Sequence, residues 1–163
     1  MRKLLFLMAL TGALLAQDNV LPKVKIKDQR NRQVSVQEIA GDKLTLLNFW
    51  ATYCVPCRKE MPLLNALHEK YEDDNVQVVG IAIDDSRTVS RVKPLIKSLK
   101  LDYPVYLDTE QKLYKHFNTK AMPFSILVAP GGAVIWEHTG YVPGDEYEME
   151  EQIKAFLADE IKE

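Results

Sequence analysis

The chain has 163 residues, of which 47% are hydrophobic and 27% charged, with seven Gly, eight Pro and two Cys. That length suits one domain, able to bury roughly 70% of the surface its unfolded form exposes. A net charge of -2 without any basic stripe gives no footing for a nucleic-acid partner.

The first sixteen residues differ from the rest. Arg2 and Lys3 precede an apolar run from Leu4 to Leu15 that ends at Ala16, the pattern of a secretory signal peptide. The run is short for a bilayer span, so a cleaved signal over residues 1–16 is preferred to an uncleaved anchor. Leu14 stands where a small residue usually precedes the cut, and no cysteine follows the run to carry a lipid. Cleavage removes Arg2 and Lys3 and takes the charge from -2 to -4. The expected location is outside the cytoplasm, in the periplasm, where an oxidising environment lets disulfides persist.

In the remaining 17–163, Val24 and Ile26 alternate with lysines as an edge strand, and Val34 and Val36 resume the alternation after a polar turn, which predicts a hairpin. Ser35 to Ala40 suits a helical turn stopped by Gly41. Leu44 to Trp50 is a nearly continuous apolar run, expected as a central strand covered on both faces. Met61, Leu64, Leu67, His68 and Tyr71 then mark an amphipathic helix, with Pro62 expected to kink it. Val76 to Ile83 reads as a second buried strand, followed by a helix over Val89 to Leu99 with Ser86 as its N-cap and Pro94 as a kink or break. Tyr103 to Leu107 is a short strand and Glu110 to Phe117 a helix. Phe124 to Ala129 and Ala133 to His138 form a hairpin across Pro130-Gly131-Gly132, and Asp145 to Ile161 closes the chain as a helix with Met149, Ile153, Phe156 and Leu157 inward. The alternation of strands and helices implies crossover connections and a mixed sheet with helices on its faces.

Both cysteines, Cys54 and Cys57, lie between the central strand and its helix. Two cysteines at this spacing at the first turn of a helix can close a small disulfide ring, and the helix terminus favours a thiolate on the first. Read from the residues, the pair is a redox-active dithiol. A structural staple, inert thiols and a zinc site are the alternatives. So short a loop constrains little of the unfolded chain, which weakens the staple, and no further Cys or His at metal spacing completes a zinc site. No metal and no cofactor are expected. His68, His116 and His138 are scattered and read as structural or exposed.

The run Asn48-Phe49-Trp50-Ala51-Thr52-Tyr53-Cys54-Val55-Pro56-Cys57, the later Met122-Pro123-Phe124 and the hairpin at Pro130-Gly131-Gly132 resemble the TlpA/ResA-like thiol-disulfide oxidoreductases of the thioredoxin superfamily. The resemblance covers about Leu21 to Ile161. It implies an α/β thioredoxin-like fold, a central mixed sheet flanked by helices, with an N-terminal β-hairpin and a central strand-helix insertion between Val76 and Leu107. Tyr53 stands where tryptophan is more usual. Val55 fills a variable position that influences redox poise, which leaves the direction of electron transfer open. Asn48 occupies the place of a buried aspartate in ordinary thioredoxins, so that proton acceptor is missing.

On this resemblance Cys54 is the nucleophile and Cys57 resolves the mixed disulfide. Glu60, one turn after Cys57 on the same helical face, is the candidate proton carrier, against the plainer reading of a solvated residue beside Arg58 and Lys59. Pro123 is expected to follow a cis bond beside the cysteines, leaving Met122 open to a substrate strand; the plain alternative is a turn proline. Trp50, Tyr53, Val55 and Pro56 are expected to line the substrate-facing surface, although aromatics at a strand end are often core. The implied partners are protein disulfide or dithiol substrates, apocytochromes among them, and a membrane thiol donor, with the protein a monomer. A peroxiredoxin-like peroxidase is the second enzyme reading, disfavoured because that family's Thr and Cys arrangement is absent. A thioredoxin-fold binding module, using the pair as a staple or copper site, is the non-enzymatic one.

Overall fold

A computed structural model describes residues 19–160; the expected signal segment lies outside them. In chain order the elements are β1 (Lys25–Lys27), β2 (Gln33–Ser35), α1 (Val36–Ala40), β3 (Leu44–Trp50), α2 (Val55–Tyr71), β4 (Val76–Ala82), α3 (Val92–Leu99), β5 (Val105–Leu107), α4 (Lys112–His116), β6 (Phe124–Val128), β7 (Val134–Thr139) and α5 (Asp145–Glu160). The seven strands form one sheet in the order β2-β1-β5-β4-β3-β6-β7. β3 pairs parallel with β4 and β4 with β5, through the crossovers α2 and α3, whereas β6 runs antiparallel to β3. This is the mixed α/β sheet the sequence pattern predicts.

All seven residues of β3 are buried, as its unbroken apolar run requires of a strand covered on both faces. α2 buries Cys57, Glu60, Met61, Leu64, Leu67 and Tyr71 against the sheet. Its apolar stripe therefore begins one turn earlier than Met61, and a carboxyl group sits within it.

Three expectations are corrected. β1 is not the edge of the sheet: it lies between β5 and β2, and β2 is outermost. Ser86 does not cap α3. A short 3-10 turn over Val89–Arg91 comes first and leads directly into Val92, because Asp85 gathers the preceding loop by accepting the Arg87 and Thr88 donors. Pro94 is the third residue of α3, where the backbone N–H has no intrahelical partner to lose, so it causes no break. Pro62, by contrast, lies inside α2, which runs as one helix from Val55 to Tyr71.

The N-terminal end of the described chain is pinned to the β6–β7 turn. Val20 bridges Ala133, Leu21 N–H donates to the Gly132 carbonyl at 2.9 Å, and Val134 N–H donates to the Asn19 carbonyl at 2.6 Å. At the other end of the chain, α5 packs on α2. Lys70 and the Tyr71 hydroxyl from α2 both donate to Glu150 of α5, at 2.6 and 2.8 Å, and Lys154 joins at 3.2 Å. Among the described residues no helix is long and apolar enough to cross a membrane.

Candidate active site

The loop leaving β3 is fixed from two sides. Ile83 N–H donates to the Trp50 carbonyl at 2.9 Å, which continues the β3–β4 ladder one step past Trp50. The buried carboxylate of Asp84 then accepts from both the backbone N–H and the hydroxyl of Thr52. Asp84 directly follows the apolar run of Val76 to Ile83. Cys54 follows as the N-cap of α2, with extended backbone. Its sulfur accepts from Cys57 N–H at 3.2 Å, so it occupies the place in which a capping side chain meets the positive end of a helix. Pro56 stands in the first turn, where no intrahelical donor is lost.

Cys54 and Cys57 are joined as a disulfide with Cα atoms 5.4 Å apart. Their environments differ. Cys54 is 8% exposed and Cys57 0%, while the flanking Tyr53 and Val55 are 55% and 53% exposed. Only the first sulfur can be approached from outside, through a rim that carries an aromatic ring and an apolar side chain.

The register Phe49↔Phe124 brings β6 alongside the end of β3 from which the cysteine loop departs. Immediately before Phe124 lies the Met122–Pro123 bond, and it is cis. Gly140 N–H donates to the Pro123 carbonyl at 2.7 Å, and the Tyr114 hydroxyl donates to the Ala121 carbonyl at 3.1 Å, so the segment is held from both sides. Met122 is half-buried and Pro123 buried.

Trp50 does not belong to the substrate-facing surface expected of it. It has no exposed area, and its indole lies over Gly80, where a Cβ would come within 3.0 Å of the Trp50 Nε1. Because β3 is central, its last side chain still points into the layer under α2.

Glu60 is also fully buried, which overturns the plain reading of a solvated helix residue. One carboxyl oxygen accepts from Asn48 Nδ2 at 2.8 Å, and the same amide donates to the Ser125 hydroxyl at 2.9 Å. The other oxygen has no partner. Burial pushes the Glu60 carboxyl up to about 8; the Asn48 hydrogen bond opposes this, and the negative charges of Asp145 and Glu146 add to it. With the disulfide formed, the group therefore holds a proton at neutral pH. Asn48, read from sequence as a missing acid, is in fact the donor that orients the acid supplied by α2. The signal for this was the apolar stripe itself: extended back from Met61 to Cys57, it encloses position 60.

Among the described residues no group of three or more His, Cys, Asp and Glu is placed to hold a metal ion. What the arrangement can do is thiol-disulfide exchange: one accessible sulfur at a helix N-terminus, one buried sulfur behind it, and a protonated carboxyl within a turn of the second.

Comparison with known proteins agrees. Residues 16–153 match the Redoxin family model. Over 136 residues the chain is 32% identical to the thiol-disulfide oxidoreductase ResA of Bacillus thuringiensis subsp. konkukian, covering 83% of this chain and 73% of that protein. The structure of a protein from Chlorobium tepidum, described as a thiol:disulfide interchange protein DsbE, superposes with a TM-score of 0.78 at 26% identity, over 86% of this chain and 96% of that one. StoA from Bacillus subtilis gives 0.66 at 25% identity, over 82% and 97%. With the fold, the disulfide at the head of α2 and these similarities together, the chain belongs to the redoxin family as a TlpA/ResA-like thiol-disulfide oxidoreductase of the thioredoxin superfamily.

Proposed function

We propose that this oxidoreductase acts outside the cytoplasm as a reductase of disulfides in partner proteins, with Cys54 as nucleophile, Cys57 as resolving thiol and Glu60 as proton carrier. The carrying observation is a fully buried, protonated carboxyl one helical turn after the buried cysteine. The reductive direction, the apocytochrome type of substrate and re-reduction by a membrane thiol donor rest on the resemblance. The apolar start of the sequence supports export. A monomer is sufficient, because every group used comes from one chain.

The Cys54 thiolate attacks a partner disulfide; a Cys54–partner bond forms and the partner's other sulfur leaves as a thiolate, which takes a proton from water. Cys57 then gives its thiol proton to the Glu60 carboxylate, and the resulting thiolate attacks the Cys54 sulfur. The partner's second sulfur leaves as a thiolate and takes a proton from water, two electrons have passed to the partner, and the protein is left oxidised with Glu60 protonated. That is the protonation state favoured in the disulfide form. When a donor dithiol reopens the pair, Glu60 returns its proton to the leaving Cys57 sulfur. Tyr53, Val55, Pro56 and Met122 form the surface a partner strand meets; Pro123 and Trp50 are buried.

Replacing Cys57 with Ala is the test. The variant should trap mixed disulfides on Cys54 in cells, and the wild-type pair should equilibrate with dithiothreitol at a strongly reducing potential. A folded variant that traps no partner, from a protein that does not reduce insulin, would sink the reading. A potential on the oxidising side would reverse the direction of transfer.

A further inference from the structure

Among the described residues, four buried side-chain polar atoms have no hydrogen-bond partner: Asn48 Oδ1, Trp50 Nε1, Glu60 Oε1 and the Tyr103 hydroxyl. Buried polar groups are almost always paired, and leaving one unpaired is costly. Four such groups scattered through a protein would need four explanations. These are not scattered.

Asn48 and Trp50 are two residues apart on β3, so their side chains leave the same face of the sheet. It is the α2 face, because Asn48 reaches Glu60 there. Asn48 is registered with Gly80 of β4, and Gly80 in turn with Val105 of β5. A Cβ on Gly80 would lie 3.0 Å from both Trp50 Nε1 and Tyr103 Cε2. The lack of a side chain at position 80 thus lets the indole N–H and the phenol ring converge over it. From the α2 side, His68 stands edge-on to the Tyr103 ring at 6.3 Å. Burial raises the Tyr103 hydroxyl, and the Glu60 carboxylate adds to the rise.

The four groups are chemically complementary to water. The indole N–H only donates, the Asn48 oxygen only accepts, the phenol does both, and a protonated carboxyl donates through its hydroxyl. Asn48 and Glu60 are already joined through the amide Nδ2, but none of the four unpartnered atoms is bonded to another, and a water molecule, with two donors and two acceptors, can join such a set. We propose that Asn48, Trp50, Glu60 and Tyr103 bind one or two ordered internal waters, and that Tyr103 acts through them as a positioning residue for the proton on Glu60. The link to catalysis rests on the proton role given to Glu60; the hydration site itself does not.

Other titratable groups bear on Glu60 as well. Asp145 and Glu146 of α5 act on it, Tyr141 in the β7–α5 loop feels its charge, and Cys57 precedes it on α2. None of these supplies a donor to the unpartnered oxygen. A hydroxyl donating through water stabilises the carboxylate, so its removal should raise the proton affinity of Glu60 further.

The experiment uses the full mature protein in its oxidised form. Water-to-protein cross-relaxation is read at the Trp50 indole N–H, distinguished from Trp136 with a Trp136→Phe variant. Carboxyl NMR follows the Glu60 titration in the wild type and in Tyr103→Phe, a change that keeps the ring packed on His68 and Gly80. A long-lived water signal at the indole, together with a Glu60 midpoint moved up by about half a pH unit or more in Tyr103→Phe, is the expected result. No water signal at the indole overturns the hydration site. A signal with an unmoved Glu60 midpoint overturns the positioning role of Tyr103. Single-turnover exchange is measured across pH in the same variant. If the Glu60 titration moves and the rate profile does not, the hydration site and the positioning of the proton stand, and it is the assignment of Glu60 to the exchange reaction that fails.

Discussion

Glu60 and Glu150 are the same residue type, each buried or nearly so where α2 meets its neighbours, and they end in opposite states. Among the described residues Glu60 has one amide donor, no cation and two acids bearing on it, and burial carries its carboxyl up to about 8. Glu150 receives Lys70, the Tyr71 hydroxyl and Lys154, and these hold its carboxyl down at about 2 despite the opposing effect of burial. The same interaction pushes the Tyr71 hydroxyl up to about 12, after the larger effect of its own burial. The difference lies in what donates to the carboxylate. A neutral amide fixes the position of a proton-bearing acid, and two ammonium groups fix a charge. One site can exchange protons near neutral pH and the other serves as a clamp between helices.

The largest effect that bears on this contrast should come from Glu60→Gln. Losing a positioned proton carrier should slow disulfide exchange by about a hundredfold or more, with the Cys54–Cys57 pair still formed, as single-turnover insulin reduction would measure. The same variant should lose a pH dependence of stability. The Glu60 carboxyl is raised on folding, so between its unfolded value of 4.5 and its folded value of about 8 the native state holds more protons than the unfolded state. Stability therefore falls as pH rises through that window, by on the order of 4 to 5 kcal/mol if no other group compensates. Urea titrations at pH 5 and pH 8 should show that slope in the wild type and a flatter one in Glu60→Gln. An equal slope in both would remove the contrast.

Asn48→Ala comes next. It deprives Glu60 of its only direct donor among the described residues and Ser125 of a partner, and should cost about 1 to 3 kcal/mol. The Glu60 midpoint should move further up, since the hydrogen bond that opposes the rise is gone. A downward shift would mean that water entering the space solvates the acid better than the amide does.

The smallest effect belongs to Glu150→Gln. Lys70 and Lys154 are 57% and 49% exposed, so screening limits the loss to about 1 kcal/mol at pH 7. The sign is opposite to that of Glu60: the contribution is complete above the unfolded value of 4.5 and disappears as pH falls through about 2. Exchange activity should be unchanged. A kinetic defect would show that the clamp also positions the active site.

How legible this was in sequence depended on range. The strand Leu44–Trp50, its parallel neighbour and the crossover helices followed from unbroken apolar runs and three-to-four spacing, because local periodicity encodes burial directly. The cysteine pair was legible because its spacing is short enough for one helical turn to decide its geometry. The cis bond at Pro123 was reached only through resemblance, since nothing in Ala121-Met122-Pro123 distinguishes it from a turn. Trp50 was misplaced because a strand end beside a functional loop looks like surface, whereas the central position of β3 keeps its last side chain under α2. The Asn48–Glu60 contact joins residues on two elements facing across a layer, and the convergence of Tyr103 on them depends on a glycine in a third. No window of sequence contains that geometry.

The pinning of Val20 and Leu21 to the β6–β7 turn has a directional consequence. β6 is antiparallel to β3, and Val128 lies opposite Thr45 at the start of that strand, so the chain enters the domain at the pole opposite the disulfide. β3, with seven residues, separates the two poles by about 20 Å or more. Asn19 therefore lies at the pole of the domain away from the accessible sulfur.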